Sequence, residues 1–303
     1  MKNAVKVLVF VLAVVLIGAG SFWIYFNYNA TEFIYSDGAK NDTISVDEYS
    51  GKDKNVVIPE KYQGKTVTSV AADSFIRSDI TSVEIPDTVT VIEQKAFYEC
   101  NELETVKMSE NITEIGEAAF INCQKLKSIR LPASLKTIGG AAFYGCESLT
   151  FEIADGADFV FEDGVLYNKA KTIVYWVSQS KDLSKFNFPS TVNEFLPYAL
   201  ANHNELVSFN IPQGVTNIPD SMFLACQKLE TVVIPDSVRT IGSSVFMGAD
   251  SLSEITLPKS VEKIGVSSFP VKSEESNFVL KVYENSSAHF YAQENKINFE
   301  IVK

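Results

Sequence analysis

The chain is poor in the side chains that most chemistry needs. Two histidines occur in 303 residues, His203 and His289, and they lie far apart in the sequence. The four cysteines, Cys100, Cys123, Cys146 and Cys226, include no Cys-x-x-Cys pair, which leaves little for a zinc or thiol-redox centre. Basic residues number 26 against 38 acidic ones, a net charge of −12. That balance argues against a nucleic-acid partner, whose phosphates call for clustered Lys and Arg. No Gly-x-Ser-x-Gly, His-Glu-x-x-His, P-loop or dinucleotide fingerprint is present. Catalysis therefore has no residues to name, and neither a cofactor nor a metal is expected.

What is there describes an ordinary folded protein: 46% hydrophobic and 21% charged residues. The acidic excess favours a soluble, monomeric ectodomain.

The first 30 residues carry the topology. Lys2 and Lys6 precede an uncharged stretch from Val7 to Phe26, 20 residues long. As a helix rising 1.5 Å per residue, that stretch spans a hydrocarbon core of about 30 Å. Positive charge before the span and none just after it places residues 1–6 in the cytoplasm and the chain from Asn27 onward outside. A cleaved signal peptide competes with this anchor, because Gly18, Ala19, Gly20 and Ser21 suit a signal peptidase. Against cleavage, Phe22-Trp23-Ile24-Tyr25-Phe26 continues the apolar run as an interfacial aromatic belt. Either way the rest of the chain is extracytoplasmic.

A repeat of about 23 residues organises that rest. Phenylalanines recur at Phe75, Phe97, Phe120 and Phe143, and a second series follows at Leu200, Phe223, Phe246 and Phe269. Prolines keep the same period at Pro189, Pro212, Pro235 and Pro258. In the best-preserved turn, Ile129 and Leu131 alternate with Ser128 and Arg130, which predicts a half-buried strand. Pro132 ends it, having no N–H to continue a ladder. Leu135 and Ile138 form a second apolar pair before Gly139, read as a tight corner. The following Ala-Ala-Phe-Tyr-Gly-Cys segment reads as one short helical turn with its phenylalanine in the core. A single turn this small cannot repay its ordering entropy, so stability must come from stacking.

The pattern Leu-x-x-Ile-x-Ile-Pro-x-Ser-Val-x-x-Ile-Gly-x-x-Ala-Phe-x-x-Cys resembles the BspA-type leucine-rich repeat of bacterial cell surfaces. The resemblance covers about Asn55 to Phe269. It implies a β-rich repeat solenoid with short helical turns, wound as a right-handed coil. With the N-terminal helix, it yields this order: cytoplasmic residues 1–6, membrane anchor 7–26, linker and N-terminal cap 27–54, repeats 55–150, a β-hairpin insertion 151–182, repeats 183–270, and a β-α-β cap 271–303. Within the insertion, strands are expected to turn at Asp163-Gly164 and at Asn168-Lys169. In the C-terminal cap, Phe278–Tyr283 and Ile297–Val302 read as strands around a helix from Ser287 to Asn295.

Several further groups have the chemistry of candidate sites. The cysteines each lie three residues after a core phenylalanine, and read as buried thiols rather than disulfides. His203 takes the same place after Leu200 and reads as altered core. Glu152, Asp155, Asp158, Glu162 and Asp163 form the densest acidic stretch, without EF-hand spacing. The outward strand positions, from Ser82 and Glu84 to Glu254 and Thr256, make a mostly polar sheet with no aromatic ladder.

Two partner-binding candidates remain. The residue after the core phenylalanine is apolar at Tyr98, Ile121, Tyr144, Leu224 and Met247, and stacking would align these as a stripe, either semi-buried against neighbouring turns or, if exposed, marking a partner site. Tyr167, Tyr175 and Trp176 in the insertion would protrude as aromatic anchors. The reading that follows is a non-catalytic cell-surface protein binding a protein or glycan, in adhesion or recognition. The alternative is an envelope scaffold or spacer that partners another membrane or wall component.

Overall fold

A computed structural model describes residues 33–38, 40, 42–270 and 278–303. The proposed anchor 7–26 lies outside the described residues, as do residues 1–6 and 27–32 that flank it. Among the described residues no helix is long and apolar enough to cross a membrane.

The chain winds as a β-solenoid with one helix, Ser287–Glu294, among the described residues. Each regular turn contributes two short parallel strands. The first strand of each turn builds a front sheet: Asn55–Val57, Ser82–Glu84, Thr105–Lys107, Ser128–Leu131 and Thr150–Ile153 pair in that order. The second builds a side sheet through Lys65–Val70, Val91–Ile92, Glu114–Ile115 and Thr137–Ile138. After the insertion the pattern resumes, with Ser208–Asn210 pairing Thr231–Val233 in front and Asn217–Ile218, Thr240–Ile241 and Lys263–Ile264 at the side.

The third side of each turn corrects the sequence reading. The Ala-Phe segment is not a helical turn. Residues two before and two after the core phenylalanine have positive φ, as at Ala118 (59°) and Asn122 (58°), and at Ser221 (55°) and Ala225 (57°). This bends the backbone so that alternate N–H groups leave the turn. Phe97 N donates to Ala119 O at 2.8 Å, and Phe120 N to Ala142 O at 2.8 Å. A helix would close those bonds within its own segment, whereas here they stitch each turn to the next.

Gly139 also acts differently from expectation. Its φ is not left-handed. A Cβ there would fall 2.4 Å from Glu117 N and 2.6 Å from Glu117 Cα on the preceding turn. Glycine is needed for close approach between coils, and Gly242 and Gly265 repeat the arrangement.

The core is a column of rings. Phe75, Phe97, Phe120 and Phe143 stack at centroid spacings of 4.9, 5.1 and 5.8 Å. Phe223, Phe246 and Phe269 stack at 5.4 and 5.3 Å. Tyr49 covers Phe75 at 5.2 Å, and Phe33, on a strand (Phe33–Asp37) that the sequence reading left in the linker, lies 6.2 Å from it. At the other end Phe278 covers Phe269 at 6.0 Å, and the expected strand–helix–strand cap follows as Val279–Tyr283, Ser287–Glu294 and Phe299–Val302.

The insertion forms the three expected strands, Phe159–Glu162, Val165–Asn168 and Ile173–Val177. Asp163 and Gly164 both take positive φ, as a tight two-residue hairpin turn requires. The second connection is wider, held by Asn168 Oδ1 accepting from Thr172 N and Ile173 N. Side chains of the second and third strands divide between two cores: Leu166 and Trp176 join the N-terminal one, while Val165, Tyr167 and Val174 join the C-terminal one. The hairpin is a partition between two stacks.

Candidate interaction surface

The stripe forms where the period places it. Because the core phenylalanine points inward, the next side chain points out from the corner. Tyr98, Ile121, Tyr144 and Leu224 are half-buried, and Met247 is 51% exposed. Two members escaped the sequence reading. Ile76 follows Phe75 at the same repeat position and is 43% exposed. Tyr198 fills the gap in the turn where Ala201 is buried, and its ring lies 4.9 Å from that of Tyr144. Tyr198 holds φ of 63°, a costly conformation for a bulky side chain.

The rim of this surface is charged. Arg77 Nε donates to Glu99 Oε2 at 2.6 Å, which holds the Glu99 carboxyl below its ordinary range. Lys95 Nζ sits 6.0 Å from the Tyr98 ring centre. Burial raises the Tyr98 phenol, and the Glu99 charge adds to the effect. Burial also raises Tyr144, against an opposing hydrogen bond with Asn202. Both phenols stay neutral hydrogen-bonding groups at physiological pH. An apolar centre with a polar rim is the anatomy of a protein-binding patch.

The second candidate group is corrected. Tyr167 and Trp176 do not protrude: they are 2% and 5% exposed, each packed into one of the two cores. Burial pushes the Tyr167 phenol up to about 12. Tyr175 is half-buried against Phe159, at 5.3 Å.

The cysteines are free and buried. Their thiols form a ladder of their own. Cys100 Sγ donates to Phe75 O at 2.9 Å, Cys123 to Phe97 O at 3.2 Å, Cys146 to Phe120 O at 3.1 Å and Cys226 to Leu200 O at 3.1 Å. Burial pushes Cys100 and Cys226 up to about 12, so neither offers a thiolate. His203 occupies the same rung. Its Nε2 lies 3.1 Å from Ser178 O one turn back, and its Nδ1 lies 3.0 Å from Leu200 O. Burial lowers its pKa, opposed by these two carbonyls.

Three of the five carboxylates in the acidic stretch are paired with cations. Glu152 pairs with Arg130, Asp158 with Lys136 at 2.8 Å and Glu162 with Lys171 at 2.7 Å. No metal-binding group of His, Cys, Asp or Glu occurs among the described residues. The front sheet is polar as expected, and ion pairs such as Lys107 with Glu84 at 2.5 Å and Lys281 with Glu254 at 2.7 Å link adjacent coils.

A family model of the BspA type leucine rich repeat region matches in six copies over residues 52–160 and 161–291. The chain belongs to the BspA-type leucine-rich repeat family. This BspA-type chain is similar in fold to a leucine-rich repeat protein from Eubacterium ventriosum, at 24% identity and a TM-score of 0.59 over 84% of this chain and 76% of that one. It is similar also to the pneumococcal vaccine antigen PcpA, at 20% identity and a TM-score of 0.53 over 91% of this chain and 98% of that one. Comparison with curated proteins finds no match. No catalytic family is indicated by these matches.

Proposed function

We propose that this BspA-type chain is a non-catalytic cell-surface interaction protein that holds a partner protein against its corner stripe. The observation carrying this reading is the alignment of Ile76, Tyr98, Ile121, Tyr144, Tyr198, Leu224 and Met247 along one side of a rigid coil. Mixed aromatic and aliphatic side chains favour a protein over a glycan, since Ile121, Leu224 and Met247 offer a sugar no flat ring face or polar group. The N-terminal apolar stretch Val7–Phe26 would hold the coil at the membrane with its stripe outside.

The test is retention of partners by the full-length chain from intact cells, purified cell wall and extracellular matrix proteins. Saturable capture of a protein, lost in Tyr144→Ala and Met247→Ala, supports the reading. Capture only by the producing cell's own wall, unchanged in both variants, would overturn it in favour of an envelope scaffold.

A further inference from the structure

The solenoid's front sheet is interrupted just before Ser208–Asn210, where the sequence nevertheless keeps the repeat pattern. Leu183, Phe186, Phe188 and Pro189 copy the positions of Leu126, Ile129, Leu131 and Pro132. By that pattern residues 185–188 should form the front strand preceding Ser208–Asn210. They form none. Asp182 Oδ1 instead accepts from Ser184 N at 2.9 Å, turning the chain before the strand can start. Phe186 packs edge-on against Phe188 at 4.9 Å, and Phe188 against Phe195 at 5.1 Å and Phe209 at 5.8 Å. Two bulky rings replace Ile129 and Leu131, and the segment stands away from the strand it should join.

The result is a free strand edge beside an open groove. Ser208–Asn210 pairs with Thr231–Val233 on one side and with no strand on the other. The direction of its backbone groups follows from its bonds. Val207 O accepts from Glu230 N and Ile211 N donates to Val233 O, so the odd-numbered residues face forward along the coil. In a parallel ladder the alternate residues, Ser208 and Asn210, then present N–H and C=O backward, into the gap. That gap is a groove of about 530 Å³ between residues 183–190 and 208–214. Its size falls within the range of about 300–1,000 Å³ typical of ligand sites.

The lining specifies an occupant. Phe186, Phe188 and Phe209 provide an apolar floor, and Lys185 is the one charged residue that lines the groove. Lys181 sits beside it, with Nζ 4.5 Å from the Phe186 ring centre. In a chain of net charge −12, a groove lined by a cation and no carboxylate is locally distinct.

We propose that this groove receives an extended peptide segment of a partner protein, alternating acidic and apolar residues, which adds as a strand to Ser208–Asn210. The backbone N–H and C=O of Ser208 and Asn210 supply the affinity, the ring floor takes one apolar side chain, and Lys185 selects the acidic one. The groove lies on the sheet side of the coil and is independent of the corner stripe.

The probe is a fluorescein-labelled octapeptide of alternating Glu and Val, titrated into the full-length chain and read by anisotropy. Saturable binding is expected, weakened at least tenfold by Asn210→Pro, which removes one of the two edge donors at a position an edge strand tolerates. Methylating alternate backbone nitrogens of the peptide should weaken it similarly, with the protein unaltered. Lys185→Glu should shift preference to the corresponding Lys-Val peptide. Hydrogen exchange gives a second readout, because the Ser208 and Asn210 amides should exchange fast in the free chain and slow with peptide. Absence of binding, binding indifferent to both methylation and Asn210→Pro, or amides already protected in the free chain through closure of residues 185–188 would each overturn the proposal.

Discussion

Tyr144 and Tyr198 touch across the insertion, with ring centroids 4.9 Å apart although they lie 54 positions apart in the chain. The corner side is therefore continuous where the sequence is interrupted. Ala141 N donates to Pro197 O at 3.2 Å, so the turn before the insertion docks directly on the turn after it.

That contact yields the first prediction. Tyr198 pays for a left-handed backbone, and asparagine adopts the same φ more readily. Tyr198→Asn should leave unfolding free energy within about 1 kcal/mol of the parent, strain relief offsetting lost ring contact. Partner capture should nonetheless fall severalfold. Chemical denaturation alongside the capture assay separates the two effects.

The ring column supports a second prediction. Phe120 is fully buried between Phe97 and Phe143. Phe120→Ala should cost about 3–5 kcal/mol, the range for truncating a buried aromatic. Urea unfolding followed by far-UV circular dichroism measures it, and a loss below about 1 kcal/mol would show that adjacent coils collapse into the void.

The thiol ladder gives a third. All four thiols are buried, and burial raises the thiols of Cys100, Cys123 and Cys226, with the neighbouring Cys146 the leading cause at Cys123. A colorimetric thiol reagent should titrate none in the native chain at pH 8 and all four in denaturant. Reaction of any thiol before unfolding would mean that the coil opens locally.

Acid sensitivity provides the fourth. The His203 pKa lies below its ordinary value of 6.5 in the folded chain, because burial disfavours the imidazolium. As pH falls below 6.5 the unfolded chain takes up this proton first, so the histidine's contribution weakens stability towards acid and is neutral above. Cysteine fills the same rung elsewhere, so His203→Cys should flatten the pH dependence of stability below pH 6.5. An unchanged slope would assign the acid response to other groups.

Much of this was legible from the period. Eight phenylalanine or leucine positions located the core column, and alternation at Ile129 and Leu131 located the front strands. The corner was misread because Ala, Lys, Glu and Asn, all compatible with helix, sit at positions where inter-coil bonds impose positive φ. Local propensity carries no trace of bonds made 21 or 22 residues away. Tyr167 and Trp176 were misplaced for a different reason. An insertion in a repeat suggests a protruding loop, yet Ile173-Val174-Tyr175-Trp176-Val177 lacks the polar alternation of a half-exposed strand. Such a run signals burial on both faces, which the two cores impose. Ile76 was readable by the same rule that found Tyr98.

The partition has a consequence for how the molecule comes apart. In an uninterrupted repeat array, disruption spreads from coil to coil through a shared interior. Here Leu166 and Trp176 seal one interior while Val165, Tyr167 and Val174 seal the other, so damage on one side meets a wall before reaching its neighbour. The two halves should therefore unfold as separate cooperative units, coupled mainly through the Tyr144–Tyr198 side, and a pulling force or rising temperature should release them one after the other.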